Sequence, residues 1–335
     1  AALAGCDFLP RHEADPRPRT TRWGEPTGAA PAADRPERTP TADIARQQMA
    51  AAMSAAERGE IETAIAEFER IIAQNPTLAP AYLGAGDLYL ETGDYAAAEA
   101  RYARAAQIEP RNFDAQYKHG IALQLMRRTV EAVRAYLRAL SIRPNDFDAN
   151  LSLASAYLDL GEPAQALPYA QRAVQLRSDS GEARINLGAA LAALNRHAEA
   201  IVEYRQAAEL TDLTPDLLLS LADALGHVGN NAEMAATLEQ LIRIDPSPEA
   251  HERLGAAYFR LRRYEAALDA FRTAVQLDPA HYPAWNGIAV SRLNDYLWSG
   301  EQDETARRDA LEALRRSLQI EPNQPRIVEL LRRFG

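Results

Sequence analysis

Hydrophobic and small residues recur in this chain in blocks of about 34. Pro76, Pro110 and Pro144 lie 34 residues apart, two more steps reach Ser178 and Asp212, and a third reaches Pro246. Pro279 and Pro322 follow at spacings of 33 and 43. Counting back 24 from successive marks gives Ala52, Gly86, Gly120, Ala154, Gly188, Ala222 and Gly255. Twelve back, alanine predominates: Ala64, Ala98, Ala132, Ala166, Ala200, Ala267 and Ala310. Eight back stands an aromatic or leucine: Phe68, Tyr102, Tyr136, Tyr204, Leu238, Phe271 and Leu314. In-phase series of this kind mark an internal repeat.

Each block is predicted to be helix, turn, helix. Small side chains on both helices permit close approach, and the aromatic residue fills the space beside them. Proline ends the second helix, because it lacks an N–H and clashes with the preceding turn. Thr214-Pro215-Asp216 and Ser247-Pro248-Glu249 read as N-cap, proline in the first turn and early acid. Three departures stand out. The block 147–180 has Ala170 for the large residue, with Pro163 and Pro168 at and within its second helix, so a distorted helix is expected there. The block 215–246 has Met234 for the usual alanine. The last block, 282–322, carries about nine extra residues around 293–304. Ile327, Leu330, Leu331 and Phe334 then share one helical face, as a cap over the end of a repeat stack requires.

Tyr82, Ala85, Gly86, Tyr89, Gly93, Tyr95, Ala98, Tyr102, Ala105 and Pro110 reproduce a familiar spacing. Leu254, Gly255, Tyr258, Tyr264, Ala267, Phe271, Ala274 and Pro279 repeat it. The pattern resembles the tetratricopeptide repeat. The resemblance covers residues 45–322 in about eight units and implies an all-α, right-handed α-solenoid, with residues 323–335 as capping helix. It also implies that the first helix of each pair (helix A) lines a concave groove for protein or peptide partners. At the fifth helix-A position the chain offers Met49, Leu83, Tyr117, Leu151, Ile185, Leu219, Glu252 and Asn286. The ninth offers Asp87, Ile121, Ser155 and Asp223, and the twelfth Leu90 and Gln124. The apolar run suits an amphipathic helix or extended peptide, and Asp87, Asp223 and Glu252 suit one with basic side chains. The family's clamp for C-terminal carboxylates needs lysine, asparagine and arginine at these places. Only Asn186 fits, so that partner class is not expected. Tyr296 and Trp298 in the insertion are a candidate second contact, aromatic residues being enriched in binding hot spots.

Composition adds exclusions. A net charge of −10 argues against a general nucleic-acid binder. No apolar stretch is long enough for a membrane-spanning helix. The single Cys6 excludes an internal disulfide or a cysteine-based metal site. The histidines show no metal-ligand spacing and no glycine-rich loop precedes a helix. No catalytic residue, metal, cofactor or small-molecule substrate is therefore expected.

The N-terminus points to the envelope. Leu3-Ala4-Gly5-Cys6 resembles the lipobox of bacterial lipoproteins, with residues 1–5 the end of a signal peptide and Cys6 the lipidated residue. The chain lacks an initial methionine, as expected of a piece of a longer precursor. Asp7 resembles the inner-membrane retention signal of enterobacterial lipoproteins, a rule that varies, so the membrane stays undecided. Residues 7–43 hold seven prolines, six arginines and seven acids, the composition of a disordered linker within segment 6–44. As a flexible coil it would reach roughly 35 Å. Trp23 stands alone within it. Together these features suggest a lipid-anchored periplasmic scaffold for a membrane-associated complex. The alternative is a constitutive subunit of a secretion, pilus, polysaccharide-export or respiratory machine, its groove permanently filled.

Overall fold

A computed structural model describes residues 40–335, with side chains from residue 44. Cys6, Trp23 and the proline-rich stretch to residue 39 lie outside the described residues. The described residues form seventeen helices and no strand. The described residues divide into two compact units, 40–172 and 173–335.

The first unit contains α1 (Pro40–Glu57), α2 (Ile61–Gln74), α3 (Ala79–Glu91), α4 (Tyr95–Ile108), α5 (Phe113–Leu125), α6 (Thr129–Ile142) and α7 (Phe147–Asp159). The eighth helix, α8 (Pro163–Leu176), spans the boundary. The second unit continues with α9 (Gly181–Ala193), α10 (His197–Leu210), α11 (Pro215–His227), α12 (Asn231–Ile244), α13 (Pro248–Arg260) and α14 (Tyr264–Leu277). It ends with α15 (Tyr282–Trp298), α16 (Glu304–Ile320) and α17 (Pro325–Phe334). Within each unit, successive helices pack as pairs and each pair packs on the next. Helix α1 begins at Pro40, ahead of the expected boundary at 45. Proline is tolerated in a first turn, where its missing N–H has no intrahelical acceptor.

Ring against glycine sets the approach within a pair. A Cβ built on Gly86 would lie 2.5 Å from the Tyr102 ring, and one on Gly120 would lie 2.4 Å from Tyr136. Gly188 meets Tyr204 and Gly255 meets Phe271 in the same way. The rings also press on the following pair: Gly84 lies under Phe68 and Gly287 under Phe271. The block with Ala170 has Ala154 opposite, both fully buried, so a small residue replaces the ring where a Cβ replaces hydrogen.

Helix α8 runs unbroken through Pro168, so the proline does not end it. Pro168 and Ala164 are exposed, so water can satisfy the one carbonyl that loses its donor. The turn from helix A to helix B needs a left-handed residue at a fixed place. Gly59, Gly93, Gly161 and Gly229 fill it, as do Arg127, Asn195 and Arg262 at φ of 60–61°. The insertion lengthens both helices of the last pair. Helices α15 and α16 have 17 residues each, against 13 and 14 in α13 and α14. Helix α17 lays Ile327, Leu330, Leu331 and Phe334 against Leu311 and Leu314, closing the stack as expected.

Gly120→Ala should destabilise the chain by about 1–3 kcal/mol through overpacking against Tyr136. Combined with Tyr136→Ala, the same change should cost much less than the sum of the single effects. Urea denaturation of the four proteins of the cycle measures the coupling, and strict additivity would contradict the contact.

Candidate functional site

The helix-A wall inherits its geometry from two recurrent polar devices. The first is an N-cap: Asn112, Asp146, Ser180, Thr214 and Ser247 each accept a hydrogen bond from the backbone N–H three residues on. The second is a captured carbonyl at the preceding turn. Tyr82 donates to the Pro76 carbonyl, Gln116 to Pro110, Asn150 to Pro144, Arg184 to Ser178 and Trp285 to Pro279, at 3.0–3.2 Å. Five side-chain types thus perform one task, six residues after the carbonyl. They fix where each A helix starts and hence which residues face the wall.

In the first unit, Leu83, Tyr117 and Leu151 are half-buried at matching positions. Leu83 and Leu90 pack beside Ala98, Tyr102 and Ala122, and Ile121 packs beside Leu123 and Leu153. Tyr117 is the most engaged. Its ring stacks on Phe113 with centroids 5.6 Å apart, and its hydroxyl lies 3.3 Å from Ser152 Oγ. Burial pushes its hydroxyl up to about 12. Ser155 is half-buried on α7. The stripe is therefore apolar, but its inner half serves the molecule's own packing.

The polar positions are also committed. Asp87 accepts from the Tyr102 hydroxyl at 2.7 Å and from Lys118 Nζ at 2.7 Å. Gln124 accepts from the Tyr136 hydroxyl at 2.8 Å and donates to Asp159 at 3.3 Å. In the second unit, Asp223 is ion-paired with Arg253, which also donates to Glu249 at 2.7 Å. Asp87–Lys118 and Asp223–Arg253 are the same device, an acid on one A helix met by a base on the next. Two of the three carboxylates expected to attract basic ligands are thus neutralised from within. The sequence signal was present in Lys118 and Arg253, but pairing it needs the register between neighbouring A helices.

Ile185, Asn186 and Leu219 are half-buried along α9 and α11. Glu252, the next residue in this row, differs from the other wall acids. It makes no hydrogen bond or ion pair among the described residues. Burial, and then the charge of Glu249, push its carboxyl up to about 7 against a pull from Arg260. The proposed second contact divides in two. Tyr296 is 8% exposed and meets Phe334 edge-on at 6.4 Å, so it belongs to the cap and is unavailable to a partner. Trp298 is 73% exposed, with its ring edge on Tyr264 at 6.0 Å. Among the described residues there is no cluster of three His, Cys, Asp or Glu placed for a metal, and no helix long and apolar enough to cross a membrane.

Models of the tetratricopeptide repeat match residues 55–124, 151–216 and 248–281. The chain contains tetratricopeptide repeats. It is 36% identical over 78 residues to small glutamine-rich tetratricopeptide repeat-containing protein 2 of Mycosarcoma maydis, a match covering 22% of each chain. Solved structures share the fold. The C-terminal part of a repeat protein from Cytophaga hutchinsonii superposes with TM-score 0.57 and 18% identity, over 71% of this chain and 98% of that one. PilF of Pseudomonas aeruginosa gives 0.51 and 20%, over 61% and 93%. A chain of the APC/C hetero-tetramer Cut9–Hcn1 gives 0.52 and 20%, over 82% of this chain and 52% of its own. This chain thus spans about a fifth of the curated relative and about half of the Cut9–Hcn1 chain. Tetratricopeptide-repeat proteins are generally non-enzymatic scaffolds that bind protein or peptide partners.

The folded chain retains a proton on Glu252 that the unfolded chain releases between pH 4.5 and about 7. Stability therefore falls as pH rises through that window. Glu252→Gln should raise stability by on the order of 1 kcal/mol at about pH 8 and leave it unchanged at about pH 4. Urea midpoints at the two pH values check this, and equal effects at both would refute it.

Proposed function

We propose that this protein is a lipid-anchored scaffold of a bacterial envelope, facing the periplasm. It holds an amphipathic helix or extended peptide of a partner along its helix-A wall and so assembles or stabilises a membrane-associated complex. The observation that carries the binding reading is the row of half-buried apolar residues at one helix-A position: Leu83, Tyr117 and Leu151 in the first unit, Ile185 and Leu219 in the second. Within each unit such a row keeps part of each side chain open to solvent on successive A helices, which suits anchors recurring along a peptide. Because Asp87 and Asp223 are neutralised internally, apolar contact supplies the affinity in these stretches.

The anchor reading rests on Leu3-Ala4-Gly5-Cys6 and on the uniqueness of Cys6. Buried acyl chains contribute about 0.8 kcal/mol per methylene, so several chains on one cysteine would hold the protein stably where one would not. The proline- and arginine-rich stretch after Cys6 would let the repeats reach a partner away from the bilayer.

Leu83→Arg with Leu151→Arg should reduce partner recovery in native-cell crosslinking at least ten-fold, with circular dichroism unchanged. Tyr117 is best left intact, because its ring and hydroxyl serve the fold. Undiminished recovery would place the interface elsewhere. In the full precursor, Cys6→Ala should move the protein from the membrane to the soluble fraction, and unchanged fractionation would remove the anchor.

A further inference from the structure

Glu252 and Asn286 occupy the position held by Leu83, Tyr117 and Leu151 in the first unit. They stand on consecutive A helices, α13 and α15, which pack against one another. Side chains at this level do reach their neighbours, since the Tyr117 hydroxyl on α5 lies 3.3 Å from Ser152 on α7.

Asn286 is oriented by a chain of fixed donors. Gln324 Nε2 donates to the Ser317 carbonyl at 3.3 Å, to Ser317 Oγ at 2.8 Å and to the Glu321 carbonyl at 2.8 Å. Its amide oxygen must then accept, and it does so from Asn286 Nδ2 at 2.8 Å. This leaves Asn286 Oδ1 as a buried acceptor without a hydrogen-bond partner. Glu252 supplies two more acceptor oxygens without a partner among the described residues, one helix away. Asp87 and Asp223, at other wall positions, have cations of their own.

A buried acceptor without a donor, as at Asn286 Oδ1, is costly, and a half-buried carboxylate stands on the neighbouring A helix; a group bringing several N–H donors and a positive charge satisfies both. We propose that Glu252 and Asn286 form an acceptor subsite of the second unit that takes the guanidinium or ammonium of an arginine or lysine side chain on the bound polypeptide. This rests on the reading that the helix-A wall binds peptides, and it names the chemistry that one stretch selects. Cation binding adds to the pull of Arg260 and holds Glu252 ionised, against the burial and the Glu249 charge that favour its protonated form.

The test uses the whole chain and the probe acetyl-Leu-Ala-Arg-Ala-Leu-Ala-amide, with citrulline replacing arginine in a matched control. Carboxyl carbon NMR on glutamate-labelled protein follows the titration of Glu252. The arginine peptide should move its midpoint to lower pH, and the citrulline peptide should leave it in place. Glu252→Gln should weaken arginine-peptide binding at least ten-fold and Asn286→Ala about three-fold. Glu252→Leu, which restores the residue type of Leu83 and Leu151, controls for folding and should bind the two peptides equally. Equal binding of both peptides to the wild type, no binding of either, or full binding by Glu252→Gln would each overturn the subsite. Butylguanidinium binding as tightly as the peptide would overturn the polypeptide assignment. Failure of the subsite and failure of the scaffold are separable. Unchanged recovery of the native partner by Glu252→Gln counts against the subsite alone, and only the Leu83 and Leu151 substitutions address the scaffold.

Discussion

The contact of an aromatic ring with a residue lacking a side chain sets the spacing of the helix pairs, and other features follow from it. With Gly86 under Tyr102 and Gly120 under Tyr136, each ring occupies the volume a Cβ would need. The ring cannot shrink and the glycine cannot grow, so the pair has one comfortable separation. Three pairs depart from ring on glycine: Ala154 stands with Ala170 and Ala222 with Leu238, while Ala52 shares a cluster with Phe68, whose ring covers Gly84 of the next pair. Phe271 lies over both Gly255 and Gly287, so one ring fixes the approach within its pair and to the next. Interiors packed to this density tolerate exchange only when the total volume is kept.

Ring placement also dictates the polar chemistry of the wall. A buried tyrosine hydroxyl needs a partner, and it finds one on helix A within one turn past the glycine. Tyr102 takes Asp87 and Tyr136 takes Gln124. Each acceptor is in turn held from the next A helix, Asp87 by Lys118 and Gln124 by Asp159. Residues that sequence position alone nominates for ligand binding are thus partly spent on joining repeats. Partly exposed ion pairs of this kind contribute little stability. Their clearer effect is to cancel charge that would otherwise attract a basic ligand.

The repeat boundaries, helix order, N-caps at Thr214 and Ser247 and the α17 cap were legible in the sequence, because each rests on one residue type at a fixed spacing. The captured carbonyl was not. Tyr82, Gln116, Asn150, Arg184 and Trp285 share a donor and nothing else, so no letter repeats at that position. The left-handed turn was half legible, as four glycines mark it while Arg127, Asn195 and Arg262 conceal it. Pro168 does not end its helix for a related reason: a helix breaker acts through a lost hydrogen bond, and on an exposed face water replaces it. Tyr296 and Trp298 look equivalent as letters, yet only the docking of α17 decides which of them is covered.

Glu252 and Asn286 carry the opposite lesson. Their register position was readable, but their significance lies in missing partners, which no spacing reveals. A leucine at 252 would cost nothing in desolvation, as Leu83 and Leu151 show at the same place. An acid there weakens the folded chain at neutral pH, since burial and Glu249 both resist its ionisation. Stability is therefore lower than the fold alone requires, at a wall position where the carboxylate feels Arg260 but makes no ion pair among the described residues. A binding partner that supplies the cation recovers that deficit on association, so the strain in the free protein becomes affinity in the complex.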